Sequence, residues 1–73
     1  MKDKAKEIMR YYIEGYYDTK YDPGASRMEK YSEQNEMRAV RSTLFDLGLL
    51  TREEFRAMKE EIHTAKSAEW RAS

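Results

Sequence analysis

The sequence has no cysteine, one proline, one histidine and three glycines, and its fourteen basic side chains are matched by fourteen acidic ones. Without cysteine, neither a disulfide nor a thiolate-bound metal can brace the fold. A lone histidine, His63, gives no metal-ligand spacing and reads as a solvated helix residue, and no glycine-rich phosphate loop is present. A formal charge of zero lacks the basic excess of a protein held to nucleic acid mainly by neutralising phosphates. No apolar run approaches the ~18 residues of a membrane span, and the charged opening "MKDKAKE" has no apolar segment behind it. These absences point to a soluble cytoplasmic protein that is not an enzyme and uses no cofactor and no metal. The adjacent pairs Glu53 with Glu54 and Glu60 with Glu61 do not change that reading, because neighbours on a helix diverge by about 100° and need a pocket to act as acid and base.

What is abundant is tyrosine. The stretch "RYYIEGYYDTKY", Arg10 to Tyr21, places five of the six tyrosines in one short segment. At 73 residues the chain makes one domain, at a size where a monomer buries only about 60% of its unfolded surface, so oligomerisation or a partner is expected to complete it.

Periodicity predicts three helices in a single helical domain over residues 1–73. In the first, over about residues 2–18, Ala5, Ile8, Met9, Tyr12 and Tyr16 fall in one arc at 100° per residue, with Ile13 and Tyr17 beside it and Tyr11 turned away. Gly15 weakens this helix but also permits close approach of another element. The turn "YDPGAS" follows, and Ser26 with Glu29 forms a capping-box pattern that starts a second helix over about residues 27–47. Met37, Val40, Leu44 and Leu47 share its face, whereas Met28 and Tyr31 lie far round the cylinder.

The next boundary is marked twice. Gly48 is placed to take positive φ and close the second helix, and Thr51 with Glu54 repeats the capping box. Leu50 and Phe55 hold the N′ and N4 positions of a hydrophobic staple. The third helix is predicted over about residues 52–66, extensible to Trp70, with Phe55, Met58, Ile62, Ala65 and Ala68 as its apolar stripe. Together these signals predict an all-α, three-helix domain with a tight hairpin between helices two and three, packed on the first helix and open to completion by dimerisation.

The segment from Met37 to Ile62, "MRAVRSTLFDLGLLTREEFRAMKEEI", resembles the short C-terminal domain family, SHOCT, through Leu44, Leu47, Gly48, Leu49, Leu50, Thr51, Glu53, Glu54, Phe55, Lys59 and Ile62. The resemblance covers about a third of the chain. It implies a helical hairpin that supports oligomerisation or contact with nucleic acid or another macromolecule, with no catalytic role.

Two kinds of binding surface emerge. Tyr12 and Tyr16 belong to the core arc, while Tyr11, Tyr17 and Tyr21 fall outside it and join Met28 and Tyr31 as candidate protein-binding residues. Tyrosine combines broad contact area with a hydroxyl that stays wet, and Glu14 and Asp18 offset Arg10 and Lys20, which disfavours a base-stacking groove. On the third helix, Arg52, Arg56, Lys59, His63 and Lys66 form a strip suited to phosphates, although Glu53, Glu54, Glu60 and Glu61 share that helix and Arg56 can pair with Glu60. The expectation is a non-catalytic protein-interaction or oligomerisation module that forms a homo-oligomer or binds a larger protein. The alternative is a small DNA-binding or nucleic-acid-site-blocking regulator using the third helix. Accessory proteins of phages and other mobile elements often have this scale and composition.

Overall fold

The computed structural model describes residues 1–72 and is all-helical: α1 (Lys2–Tyr21), α2 (Arg27–Asp46) and α3 (Arg52–Ala72). Among the described residues no helix is long and apolar enough to cross a membrane.

The turns follow from the chemistry of their residues. After α1, the Asp22 carboxylate accepts from the Gly24 amide at 2.8 Å, and the Asp22 carbonyl accepts from the Ala25 amide at 3.2 Å. Ser26 then caps α2 by accepting from the Glu29 amide at 3.1 Å. At the far end of α2, Gly48 adopts φ +70°, its amide donates to the Phe45 carbonyl at 3.0 Å, and the Leu49 amide donates to the Leu44 carbonyl at 3.0 Å. This is the paired bonding of a Schellman motif, which an L side chain at residue 48 would strain. The Thr51 box is reciprocal: Thr51 N–H donates to Glu54 Oε1 at 2.9 Å, and Glu54 N–H donates to Thr51 Oγ1 at 3.1 Å.

α1 is the central element. It packs against both α2 and α3, whereas α2 and α3 touch each other little away from their turn, where Phe45 meets Phe55 edge to face at 6.0 Å. Because α1 faces two neighbours, its buried residues are Ala5, Met9, Ile13 and Tyr17. That series advances about 40° per step around the helix, sweeping from one neighbour toward the other. The single arc expected from periodicity is therefore rotated: Ile8 lies at the rim, 39% exposed, and Tyr12 and Tyr16 are only partly buried.

α2 contributes Met37 and Leu44, and the other helix with its approach contributes Leu50, Phe55, Met58 and Ile62. Leu47 does not join them. The helix ends at Asp46, which makes Leu47 the C-cap and turns it outward, 64% exposed. Cα atoms span only 16 Å in the shortest direction, and Met9 and Ile13 are the large side chains buried completely. So thin a body has little interior for other side chains to share.

The helix ends differ from expectation in an informative way. α1 continues past Asp18 to Tyr21 and α3 continues past Lys66 to Ala72 because these two ends hold each other. The expected stripe fails there, since Ala65 and Ala68 are exposed while His63, Lys66 and Ser67 turn toward α1.

An ion pair closes the other end of the α1–α3 contact, with Lys6 Nζ 2.8 Å from Glu54 Oε2. The Lys6 ammonium first, then the Thr51 amide and hydroxyl, bring the Glu54 carboxyl down to about 2. In the unfolded chain the same carboxyl keeps its ordinary value of 4.5, so between about pH 4.5 and about pH 2 the unfolded state binds more protons and stability falls as pH falls. Glu54→Gln is expected to flatten that part of the melting-temperature profile and to leave the profile above pH 6 parallel to wild type. An unchanged acid limb would show that the pair does not couple folding to protonation.

Candidate functional site

The five candidate protein-binding residues do not form one surface. Tyr17 is 4% exposed and lies in the core, which corrects the expectation that it faces outward. Its ring stacks on His63 at 4.8 Å with an interplanar angle of 11°, and meets Tyr16 edge to face at 4.9 Å. Burial, with smaller contributions from Tyr16 and Tyr21, raises the Tyr17 phenol above its ordinary pKa and keeps it neutral.

Tyr21 is half-buried and also committed to the fold. Ser67 Oγ donates to the Tyr21 hydroxyl oxygen at 3.3 Å, and the same hydroxyl is hydrogen-bonded with His63 Nε2, 2.6 Å away. Tyr17, Tyr21 and His63 stack on one another, and Tyr21 also meets Trp70 at 6.3 Å. The sequence signal for this seam was the spacing of His63, Ser67 and Trp70 on one helix face, which apolar periodicity does not register because two of the three are polar.

Tyr11, Met28 and Tyr31 are exposed as expected, by 72%, 79% and 59%. Their surroundings differ. Tyr11 packs edge to face on Tyr12 at 5.3 Å and borders a groove between α1 and α2 lined by Glu14, Asp18, Glu33 and Glu36. Gly15 forms its floor, and the group nearest to it is the Glu33 carboxylate rather than a backbone segment. Tyr31, by contrast, lines a shallow depression on α2 with Arg27, Lys30 and Gln34. The two tyrosine surfaces therefore carry opposite charge.

The basic strip of α3 divides as well. His63 is taken up by the aromatic seam, and Lys66 Nζ pairs with Asp18 Oδ1 at 2.8 Å across the α1–α3 contact. Asp18 is also the first cause of the raised Lys66 pKa. These two do not join the other cations, which corrects the continuous strip read from helical spacing. Arg52, Arg56 and Lys59 stay together and gain Arg41 from α2, which the sequence reading did not single out. The four line a groove of about 470 Å³ with Ser42, Phe45 and Phe55. Among the described residues none of the four makes an ion pair, and the Arg56 to Glu60 pair is not formed. The Arg41 guanidinium and the Lys59 ammonium lie 5.4 and 6.0 Å from the Phe55 ring centre.

Among the described residues there is no cluster of three or more histidine, cysteine or acidic side chains able to hold a metal ion. Compared with family models, curated proteins and solved structures, the chain finds no significant match.

Proposed function

We propose that this chain is a non-catalytic protein-interaction module that self-associates, joining the Tyr11 surface of one copy to the Tyr31 surface of the next. The observation that carries the reading is the pairing of exposed tyrosines with opposite charge, Tyr11 beside Glu33 and Glu36 and Tyr31 beside Arg27 and Lys30. Neither ring is needed to close the core. A net charge of zero removes the long-range repulsion that would otherwise keep copies apart. Tyrosine suits such a contact because its ring supplies apolar area while the hydroxyl remains hydrated. A helical hairpin of the kind that residues 37–62 resemble would serve the same purpose, presenting surface rather than chemistry.

A contact between two different patches is head-to-tail, and this gives it a distinctive test. In sedimentation equilibrium, Tyr11→Ala and Tyr31→Ala are each expected to weaken association by about 5- to 30-fold, the effect of removing an interface aromatic worth ~1–2 kcal/mol. Mixing the two variants restores one intact contact, so a heterodimer forms where neither variant dimerises alone. Wild-type protein that remains monomeric throughout, or alanine variants that associate as tightly as wild type, would reject the reading.

A further inference from the structure

We infer that the groove between α2 and α3, lined by Arg41, Arg52, Arg56 and Lys59 over Phe45 and Phe55, docks an acidic segment of another protein, one that carries carboxylates beside an apolar side chain. It shares no lining residue with the Tyr11 or Tyr31 surfaces, so it is a site in addition to the self-association proposed above.

The charges carry the argument. Elsewhere the cations that reach across between helices are spent on carboxylates: Lys6 on Glu54, Arg10 on Glu61, Lys66 on Asp18. In this groove four cations converge from two helices, and no acidic side chain lines it. Holding like charges together costs energy in the free protein, and an anionic ligand relieves that cost on binding. Three of the four are arginines, whose planar guanidinium offers a carboxylate two parallel hydrogen bonds.

The extent of the positive surface decides between classes of anion. At the turn the groove runs on into a depression that Asp46 lines together with Phe45, Leu50 and Arg52. Along α3, Glu53 and Glu60 stand exposed beside the arginines. At the turn and along α3 the groove is thus bounded by carboxylates, which suits a few negative charges and opposes a long polyanion such as duplex DNA. Single-stranded nucleic acid would look for an open ring face on which to stack a base. The Phe55 ring is 8% exposed and already has Arg41 and Lys59 over it, while half-buried Phe45 offers an apolar wall. An aliphatic or aromatic side chain between two carboxylates meets both the wall and the arginines.

Fluorescence anisotropy with the full chain tests the inference. The probe is a labelled peptide of about twelve residues alternating Asp and Glu with Leu and Phe; its control has Asn and Gln at the acidic positions. The acidic peptide is expected to bind and to weaken as salt rises, while the amide peptide does not bind. The double variant R52E/R56E should lower affinity at least about tenfold with circular dichroism and self-association unchanged, and R41Q/K59Q provides a second, milder removal of the same charges. Equal binding of acidic and amide peptides would overturn the inference. So would a salt-sensitive complex with a duplex of about 12 base pairs in the absence of peptide binding, which would make the groove a nucleic-acid site. Loss of self-association in R52E/R56E with peptide binding intact would overturn it too, by showing that a second copy occupies the groove.

Discussion

Tyr17→Ala is expected to leave much of the protein unfolded at 25 °C, while Tyr11→Ala leaves the urea midpoint where it was. The two tyrosines belong to the same tyrosine-rich stretch, yet Tyr17 is 4% exposed and Tyr11 72%. Removing the Tyr17 ring deletes its stack on His63 and its edge contact with Tyr16, and opens a cavity between α1 and α3. Truncations of this kind cost about 3–5 kcal/mol, comparable with the whole stability of a small domain. Tyr17→Phe separates packing from polarity: among the described residues the hydroxyl makes no hydrogen bond, so Phe is expected to cost under ~1 kcal/mol. Equilibrium urea unfolding checks all three variants. A loss below ~1 kcal/mol for Tyr17→Ala would return this side chain to the exterior.

The second large effect is expected at Phe55. Its ring is 8% exposed, belongs to the same buried cluster as Leu50 and Met58, and holds Phe45 edge to face. Phe55→Ala should cost about 3–5 kcal/mol, and Leu50→Ala about 2–5 kcal/mol through loss of the other half of the staple. Because the two residues meet the same core at the same helix entry, the double variant should lose less than the sum of the single ones. Additive losses in chemical unfolding would mean that the staple is not a coupled unit. Phe55 also lies beneath Arg41 and Lys59, so its loss releases the cations that line the groove, whereas Leu50 lies outside that set.

Which of these features the sequence disclosed depends on how local their causes are. The run from Gly48 to Phe55 was readable residue by residue, because positive φ at Gly48 and the reciprocal Thr51 to Glu54 bonds are local, and Leu50 and Phe55, which hold the staple positions, are both buried. The same holds for the Ser26 cap and the Asp22 turn. The buried face of α1 was readable only in part: Ala5 and Met9 lie in the expected arc and Ile13 and Tyr17 beside it, since a helical wheel seeks one best arc and α1 answers to two neighbours. Tyr17 is buried and Tyr12 only partly so for that reason. The end of α3 stayed open between Lys66 and Trp70 because His63, Ser67 and Trp70 hold its last turns through polar and aromatic contacts with Tyr21, which leave no aliphatic stripe. Arg41 was missed as a fourth groove cation because it lies on a different helix from the other three, and only the chain's path brings it to them.

The same division explains what each surface can do. Side chains that tie α1 to α3, Lys6 with Glu54, Arg10 with Glu61 and Lys66 with Asp18, use their charges internally. Those ties are partly exposed and contribute modestly to stability one by one, but they fix which charges remain available outside. What remains is the carboxylate-lined tyrosine surface, the basic tyrosine surface and the cationic groove. The two tyrosine surfaces are built on rings that the core does not require, whereas the groove is lined in part by Phe55, which the core shares.

The most direct measurement of the central claim is a dilution series of amide spectra by nuclear magnetic resonance, from about 1 mM down to about 20 μM, the range of a weak self-interaction. Concentration-dependent shifts are expected at Tyr11, Glu33 and Glu36 and at Arg27, Met28, Lys30 and Tyr31, with Ile13, Tyr17 and Ile62 unmoved. Spectra that do not change with concentration, or changes confined to other surfaces, would contradict self-association through the paired tyrosine surfaces.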